Sequence, residues 1–191
     1  MELVFYRIPN IHALRSACHK IYSTMYFIGN KDNEEKGKTK TKTNLGNKLW
    51  YDSIITIIKD AMNIAETIKN DNSVLIHCSD GWDRTSQLCV TSQLILDKRF
   101  RTLDGFIYLI EKDWLSFGHQ FRYRCGMYCP ADIPSNVSSE NQKSPIFIQW
   151  LDAVYQIIQQ NITKFEFNSD LLFFLTNEMF TGTYGTFLFN N

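Results

Sequence analysis

The stretch VLIHCSDGWDRTSQL, residues 74–88, constrains this chain more than any other, because it sets an apolar run, a short polar turn and a helical pattern end to end. Val74, Leu75 and Ile76 have the continuity of a buried strand, and beyond Arg84 the residues Leu88, Thr91, Ser92, Ile95 and Leu96 recur on one side of a helix. An earlier helix is marked by Ile54, Ile58, Ala61, Ala65 and Ile68 and stopped by Asn70 to Ser73. Helix, strand, loop, helix is the layout of a parallel α/β sheet, so 73–77 is expected as a strand paired on both sides.

Cys78 and Arg84 bracket the polar turn. A loop that leaves a strand and enters a helix can aim several backbone N–H groups inward, and the helix adds its positive end, so the loop cradles a phosphate. The same field favours a thiolate, since cysteines at helix N-termini fall to a pKa of roughly 3.5 to 7.5 from about 8.5. Cys78 is then placed to attack phosphorus in line and form a phosphocysteine. Arg84 can fold back and grip two equatorial oxygens with a fork that lysine lacks, a contact that strengthens in the transition state. Gly81 permits a left-handed turn. Asp80 and Asp83 stand beside the phosphate at a cost unless one is protonated to serve the leaving oxygen; a sugar alkoxide needs such an acid. Thr85 is placed to hydrogen-bond the thiolate.

Plainer readings stand beside these. With five cysteines the spacing of Cys78 and Arg84 is by itself a weak motif, and a free cysteine is more often a buried structural one. Asp80 and Asp83 also suit a solvated turn and a helix N-cap, and Trp82 a packing role.

Lys plus Arg and Asp plus Glu balance at 20 each, so net charge argues neither for nor against nucleic acid and an anion site has to be local; with Lys38, Lys40 and Lys42 read as a solvated loop, no nucleic-acid partner is expected. The 191 residues, 44% hydrophobic, fit one packed domain spanning 1–191. An odd number of cysteines and no apolar leader after Met1 lead us to expect a soluble intracellular chain. Pro9 and Asn10 read as a helix start followed by Ile11, Leu14, Ala17, Cys18 and Ile21 at helical spacing, and three more helical patterns lie near 102–118, 145–161 and 169–180. Residues 30–44 hold no large apolar side chain and are expected as a flexible polar insertion, with Lys38, Lys40 and Lys42 solvated; a second polar loop is expected around 130–145. Cys125 and Cys129 lack a second ligand pair, so no metal and no cofactor are expected, and His12 and His119 read as structural hydrogen-bonders.

The string HCSDGWDRT followed by EKDWLSFGHQF resembles the myotubularin family of phosphoinositide 3-phosphatases. PNIHALR, SPIFIQWLDAVYQ, FEFNSDLL and YGTFLFN resemble it too, in the same order, so the resemblance covers nearly the whole chain apart from 30–44. It implies a Cys-dependent, protein tyrosine phosphatase-like α/β fold, helix-rich around a central sheet. That sheet is expected to be incomplete at the N-terminus, because the family's PH-GRAM module and the first part of its phosphatase domain lie upstream; marginal stability and association follow from it. The implied activity is metal-free hydrolysis of the 3-phosphate of phosphatidylinositol 3-phosphate and of phosphatidylinositol 3,5-bisphosphate. By this resemblance Cys78 matches the nucleophile, Arg84 the phosphate clamp and Asp83 the general acid, while Ser79, Asp80, Gly81 and Trp82 complete the loop around the headgroup. Asn10 and Ile11 match positions lining the pocket, and Arg124 matches a basic residue reaching the lipid's other phosphate. At Gln120 the family usually has arginine, so one cation for a 5-phosphate is missing, although Arg122 lies close in sequence. The implied partners are a phosphoinositide headgroup at a membrane surface and a second myotubularin in a homo- or hetero-dimer, with a cytoplasmic protein peripheral on endosomal-type membranes. Two other functions stay open: a protein tyrosine or dual-specificity phosphatase, against which the two Asp and the Trp inside the loop argue, and a truncated, non-catalytic interaction module.

Overall fold

Asn10 begins the first helix by accepting the Ala13 N–H on its side-chain oxygen at 3.0 Å, which satisfies one of the amides a helix start leaves open. The structure, a computed structural model, describes residues 2–29, 39–127 and 141–188. In chain order its helices are α1 (Ile11–Gly29), α2 (Thr39–Lys69), α3 (Arg84–Leu96), α4 (Leu103–Ile110), α5 (Phe121–Cys125), α6 (Ile146–Gln160) and α7 (Ser169–Thr181).

Leu14 and Ala17 of α1 are buried, and α1 packs on α2, whose Ile54, Ile57, Ala61, Ile64 and Ala65 form one inward stripe. The helix α2 starts earlier than its apolar pattern, so 39–44 of the polar insertion is helical and not loop. Extending a helix that already exists costs far less than nucleating one, so the packed part can propagate into a polar stretch. Residues 30–38, and with them Lys38, lie outside the described residues, as do Cys129 and the greater part of the 130–145 loop. The stop signal at 70–73 takes a defined form. Asp71 adopts φ 59°, the Asp71 N–H bonds the Ile68 carbonyl at 3.0 Å, and the Asn72 N–H bonds the Thr67 carbonyl at 3.3 Å, which together close the last turn.

Residues 73–77 depart from expectation. No strand forms there or anywhere else among the described residues, so the central parallel sheet is not part of this structure. Leu75 is 89% exposed and Val74 38% exposed. A parallel ladder exists only where neighbouring strands supply its partners, and no described segment pairs with 73–77.

Beyond the polar turn the chain is packed. The helix α3 lies between α2 and α6 and buries Leu88, Val90 and Leu94. Its buried polar side chains are answered locally: Thr91 donates to the Gln87 carbonyl at 2.6 Å and Ser92 to the Leu88 carbonyl at 2.7 Å. Gln87 reaches across to α6, its Nε2 donating to the Ile146 carbonyl and to Gln149 Oε1, both at 3.1 Å. Beneath this run the aromatic residues of α4 to α6. Phe106 stacks on Trp150 at 5.5 Å, Trp114 meets Trp150 at 5.3 Å, and Phe121 meets Phe147 edge to face at 5.0 Å. Between α4 and α5 the helix widens into a π turn at Glu111–Leu115, where the Ser116 N–H bonds the Glu111 carbonyl five positions back at 2.9 Å.

Candidate active site

The loop 78–83 closes on the first turn of α3, where amides without helical partners and the positive helix end meet. Gly81 makes the turn possible. Its φ of +89° strains any other residue, although the position a Cβ would take has no atom within 4 Å, so conformation alone demands glycine. The turn brings the Gly81 N–H to 3.2 Å from Cys78 Sγ. Partial burial pushes the Cys78 thiol up, but bonds from the Thr85 hydroxyl and from the N–H groups of Gly81, Thr85 and Asp80 outweigh it and hold the thiol below its ordinary range.

The other described thiols behave in the opposite way. Burial pushes Cys18 and Cys89 up to about 11 and Cys125 up to about 12. Cys78 alone among the described cysteines has a thiolate favoured by its surroundings, which is the condition for a nucleophile.

Arg84 is the first residue of α3, and its guanidinium folds back so that Nη2 donates to Ser79 Oγ at 3.0 Å. Ser79 Oγ in turn donates to Asp80 Oδ2 at 3.0 Å. Ser79, Asp80 and Arg84 are thus joined in one chain of hydrogen bonds, which brings a cation back onto the loop that begins at Cys78.

Asp83 faces elsewhere. It occupies the N-cap position of α3 without making the cap bond. Its carboxylate instead takes Arg124 in a two-point grip, Nη2 to Oδ2 at 2.8 Å and Nε to Oδ1 at 3.2 Å, with His119 Nδ1 at 3.1 Å from Oδ1. Burial pushes the Asp83 carboxyl up, but the hydrogen bonds and charges of His119 and Arg124 prevail and hold it below the ordinary carboxylate range. This arrangement favours the carboxylate, so the general-acid role expected of Asp83 requires it to take up a proton first. Arg124 is likewise engaged, with Nη1 donating to the Gln142 carbonyl at 2.9 Å and to Gln142 Oε1 at 3.1 Å. It is buried, and its bonds run to Asp83 and Gln142.

The model of the myotubularin-like phosphatase domain matches residues 1–191. The chain belongs to the myotubularin-like phosphatase family. It is 38% identical over 191 residues to phosphatidylinositol-3,5-bisphosphate 3-phosphatase MTMR4 of Homo sapiens, which covers 100% of this chain and 15% of that protein. It is 37% identical over 190 residues to phosphatidylinositol-3,5-bisphosphate 3-phosphatase MTMR6 of Caenorhabditis elegans, covering 100% of this chain and 26% of that one. To phosphatidylinositol-3,5-bisphosphate 3-phosphatase MTMR2 of Mus musculus it is 38% identical over 191 residues, 100% of this chain and 28% of that one. The chain thus spans less than a third of the length of these relatives.

Within this myotubularin-like domain the remaining candidates make their hydrogen bonds, among the described residues, to groups other than the thiol. Asn10 caps α1, and the Ile11 carbonyl accepts from Ser144 Oγ at 3.0 Å; among the described residues neither bonds to 78–84. Gln120 is half-buried and donates through Nε2 to the Gly118 carbonyl at 3.1 Å. Trp82 is half-buried, and its carbonyl accepts from Ser86 Oγ at 3.2 Å and stands 2.8 Å from His119 Nδ1. His119 is the structural hydrogen-bonder expected, but sequence reasoning did not foresee that it bonds the loop itself. Gln87 was not singled out at all, although a glutamine one position before Leu88 on an inward helix face was a visible signal.

Proposed function

We propose that the chain is the nucleophile-bearing part of a phosphoinositide 3-phosphatase acting on phosphatidylinositol 3-phosphate through a phosphocysteine intermediate. The observation that carries this reading is Cys78, the thiol held below its ordinary range, with the Arg84 guanidinium folded over the same loop. The substrate class draws support from the relatives, whose names are those of phosphatidylinositol-3,5-bisphosphate 3-phosphatases. In the first step the Cys78 sulfur forms a bond to phosphorus while the bond from phosphorus to the inositol 3-oxygen breaks, and Arg84 with the loop amides takes up the charge on the equatorial oxygens. The departing oxygen takes its proton from a loop carboxyl, Asp83 by the family match or the exposed Asp80 hydrogen-bonded to Ser79, which must first take up a proton from water. Water then cleaves the sulfur–phosphorus bond, and the Thr85 hydroxyl steadies the thiolate as it is released.

The same reading carries a Cys-dependent phosphatase fold in which 73–77 belongs to a central sheet. Its support is the family match together with the exposure of Val74 and Leu75, apolar residues leading straight to the nucleophile. Because the substrate stays in a bilayer, the protein works peripherally at a membrane surface. Gln120 and the engaged Arg124 favour the monophosphate, since a missing charge-assisted contact to a 5-phosphate removes roughly 1.5 to 3 kcal/mol where desolvated.

Phosphate release from short-chain phosphatidylinositol 3-phosphate, its 3,5-bisphosphate and a phosphotyrosine peptide tests the reading. Release from the lipids, with the monophosphate preferred, is expected. Cys78→Ser should abolish it, and Gln120→Arg should raise the bisphosphate-to-monophosphate ratio. Release from the peptide alone would favour a protein tyrosine phosphatase, no release from a chain that melts cooperatively would favour an interaction module, and an active Cys78→Ser would remove the covalent step.

A further inference from the structure

His119 lies 37 positions from Trp82 in sequence, yet its polar contacts run to the catalytic loop. Nδ1 stands 2.8 Å from the Trp82 carbonyl oxygen and 3.1 Å from Asp83 Oδ1. Both are acceptors, so Nδ1 carries a proton and donates it. The ring is confined: Trp114 meets it edge to face at 4.7 Å and Phe121 at 4.6 Å. Its other nitrogen, Nε2, is buried with no partner. A buried polar atom left unmet is a cost, so whatever this imidazole contributes is delivered at Nδ1.

The contribution comes from the peptide link it holds. The bond between Trp82 and Asp83 is trans, so the Trp82 carbonyl and the Asp83 N–H point in opposite directions. With the carbonyl turned to His119 and to Ser86 Oγ, the Asp83 N–H is turned away from them. That amide directly precedes Arg84, in the row of loop amides from which Asp80 and Gly81 already serve the Cys78 sulfur.

We propose that His119 is a positioning residue for the catalytic loop: its Nδ1–H fixes the Trp82–Asp83 peptide so that the Asp83 amide faces the phosphate held over Cys78. This rests on the phosphatase reading given above. It adds a residue that never touches the substrate but orients a group that does.

Three substitutions separate positioning from mere packing. Asparagine places an amide N–H close to where Nδ1 lies, glutamine places one near Nε2, and leucine supplies none. In His119→Leu, kcat on phosphatidylinositol 3-phosphate should fall by about tenfold to a hundredfold with KM little changed, as for other groups that orient a reacting shell. His119→Asn should recover most of the loss and His119→Gln should not. A second measurement needs no turnover: tungstate, a phosphate mimic, protects Cys78 from iodoacetamide, and the tungstate concentration for half protection should rise about tenfold in His119→Leu and return in His119→Asn. Unchanged kcat and protection in His119→Leu overturn the proposal. So do equal losses in the Asn and Gln variants, a comparison that still decides if the Leu variant does not fold. If the unsubstituted chain releases no phosphate from lipid, the phosphatase reading fails, and the tungstate comparison still judges His119 separately.

Discussion

The chain on the two sides of Cys78 behaves in opposite ways. Before it, Val74 and Leu75 present apolar side chains to water and no backbone ladder forms. After it, Leu88, Val90 and Leu94 are 4%, 0% and 1% exposed, Gln87 is bonded into α6, and Asp83 is clamped by Arg124 of α5. The loop is thus held from its helical end. The features that lower the Cys78 thiol (the Thr85 hydroxyl and the amides of Asp80, Gly81 and Thr85) all belong to that end or to the loop itself. An anion site can therefore have its local chemistry in place while the segment leading into it is unpaired.

The largest effect should come from breaking the clamp on the helical side. Asp83→Asn leaves the buried Arg124 guanidinium without its counter-charge, and urea unfolding should show a loss of about 3 to 5 kcal/mol; a loss under about 1 kcal/mol, the value of an exposed pair, would mean the clamp is superficial. The same carboxyl gives a pH signature. Its folded pKa is depressed, so its stabilisation is present above the unfolded value of about 3.9 and is lost as pH falls through the folded one. Acid unfolding of Asp83→Asn should accordingly be flatter below about pH 4 than that of the parent.

Next in size is Gln87→Leu, which leaves the Ile146 carbonyl and Gln149 Oε1 without this donor and should cost about 1 to 3 kcal/mol in the same assay. The smallest effect belongs to the other side of the cysteine. Leu75→Lys should change stability by no more than about 0.5 kcal/mol, while sedimentation velocity should show less self-association than in the parent. A loss matching that of Gln87→Leu would show that 73–77 is packed after all and erase the contrast between the two sides.

What sequence could reveal of this molecule was whatever is encoded within a turn or two. Asn10 before Ile11, the stop after Lys69, and the change from polar loop to helix at Arg84 depend on caps, spacing and turn chemistry, and all three stand as expected. The lowered Cys78 thiol was legible for the same reason, since a thiol below a helix N-terminus is a local arrangement. The pairing of 73–77 was not, because a strand is defined by partners elsewhere. Asp83 shows the limit most clearly: an Asp before a helix reads as a cap, or beside a phosphate as an acid. Its side chain is claimed by His119 and by Arg124, which stands 41 positions away, and no local pattern announces either.

The π turn at Glu111–Leu115 gives the chain a reserve of length at that point. It holds about one more residue per turn than its neighbours, and the His119 N–H also bonds back five positions, to the Trp114 carbonyl at 3.0 Å. Deleting a single residue there can be taken up by tightening the wide turn to ordinary winding, which leaves the phase of everything downstream nearly unchanged. In the regular winding of α3 the same deletion would rotate the following residues by about 100° about the axis, with a rise of about 1.5 Å. A one-residue gap is therefore tolerable between Ile110 and His119, where the slack lies, and disruptive in the helix that carries Arg84.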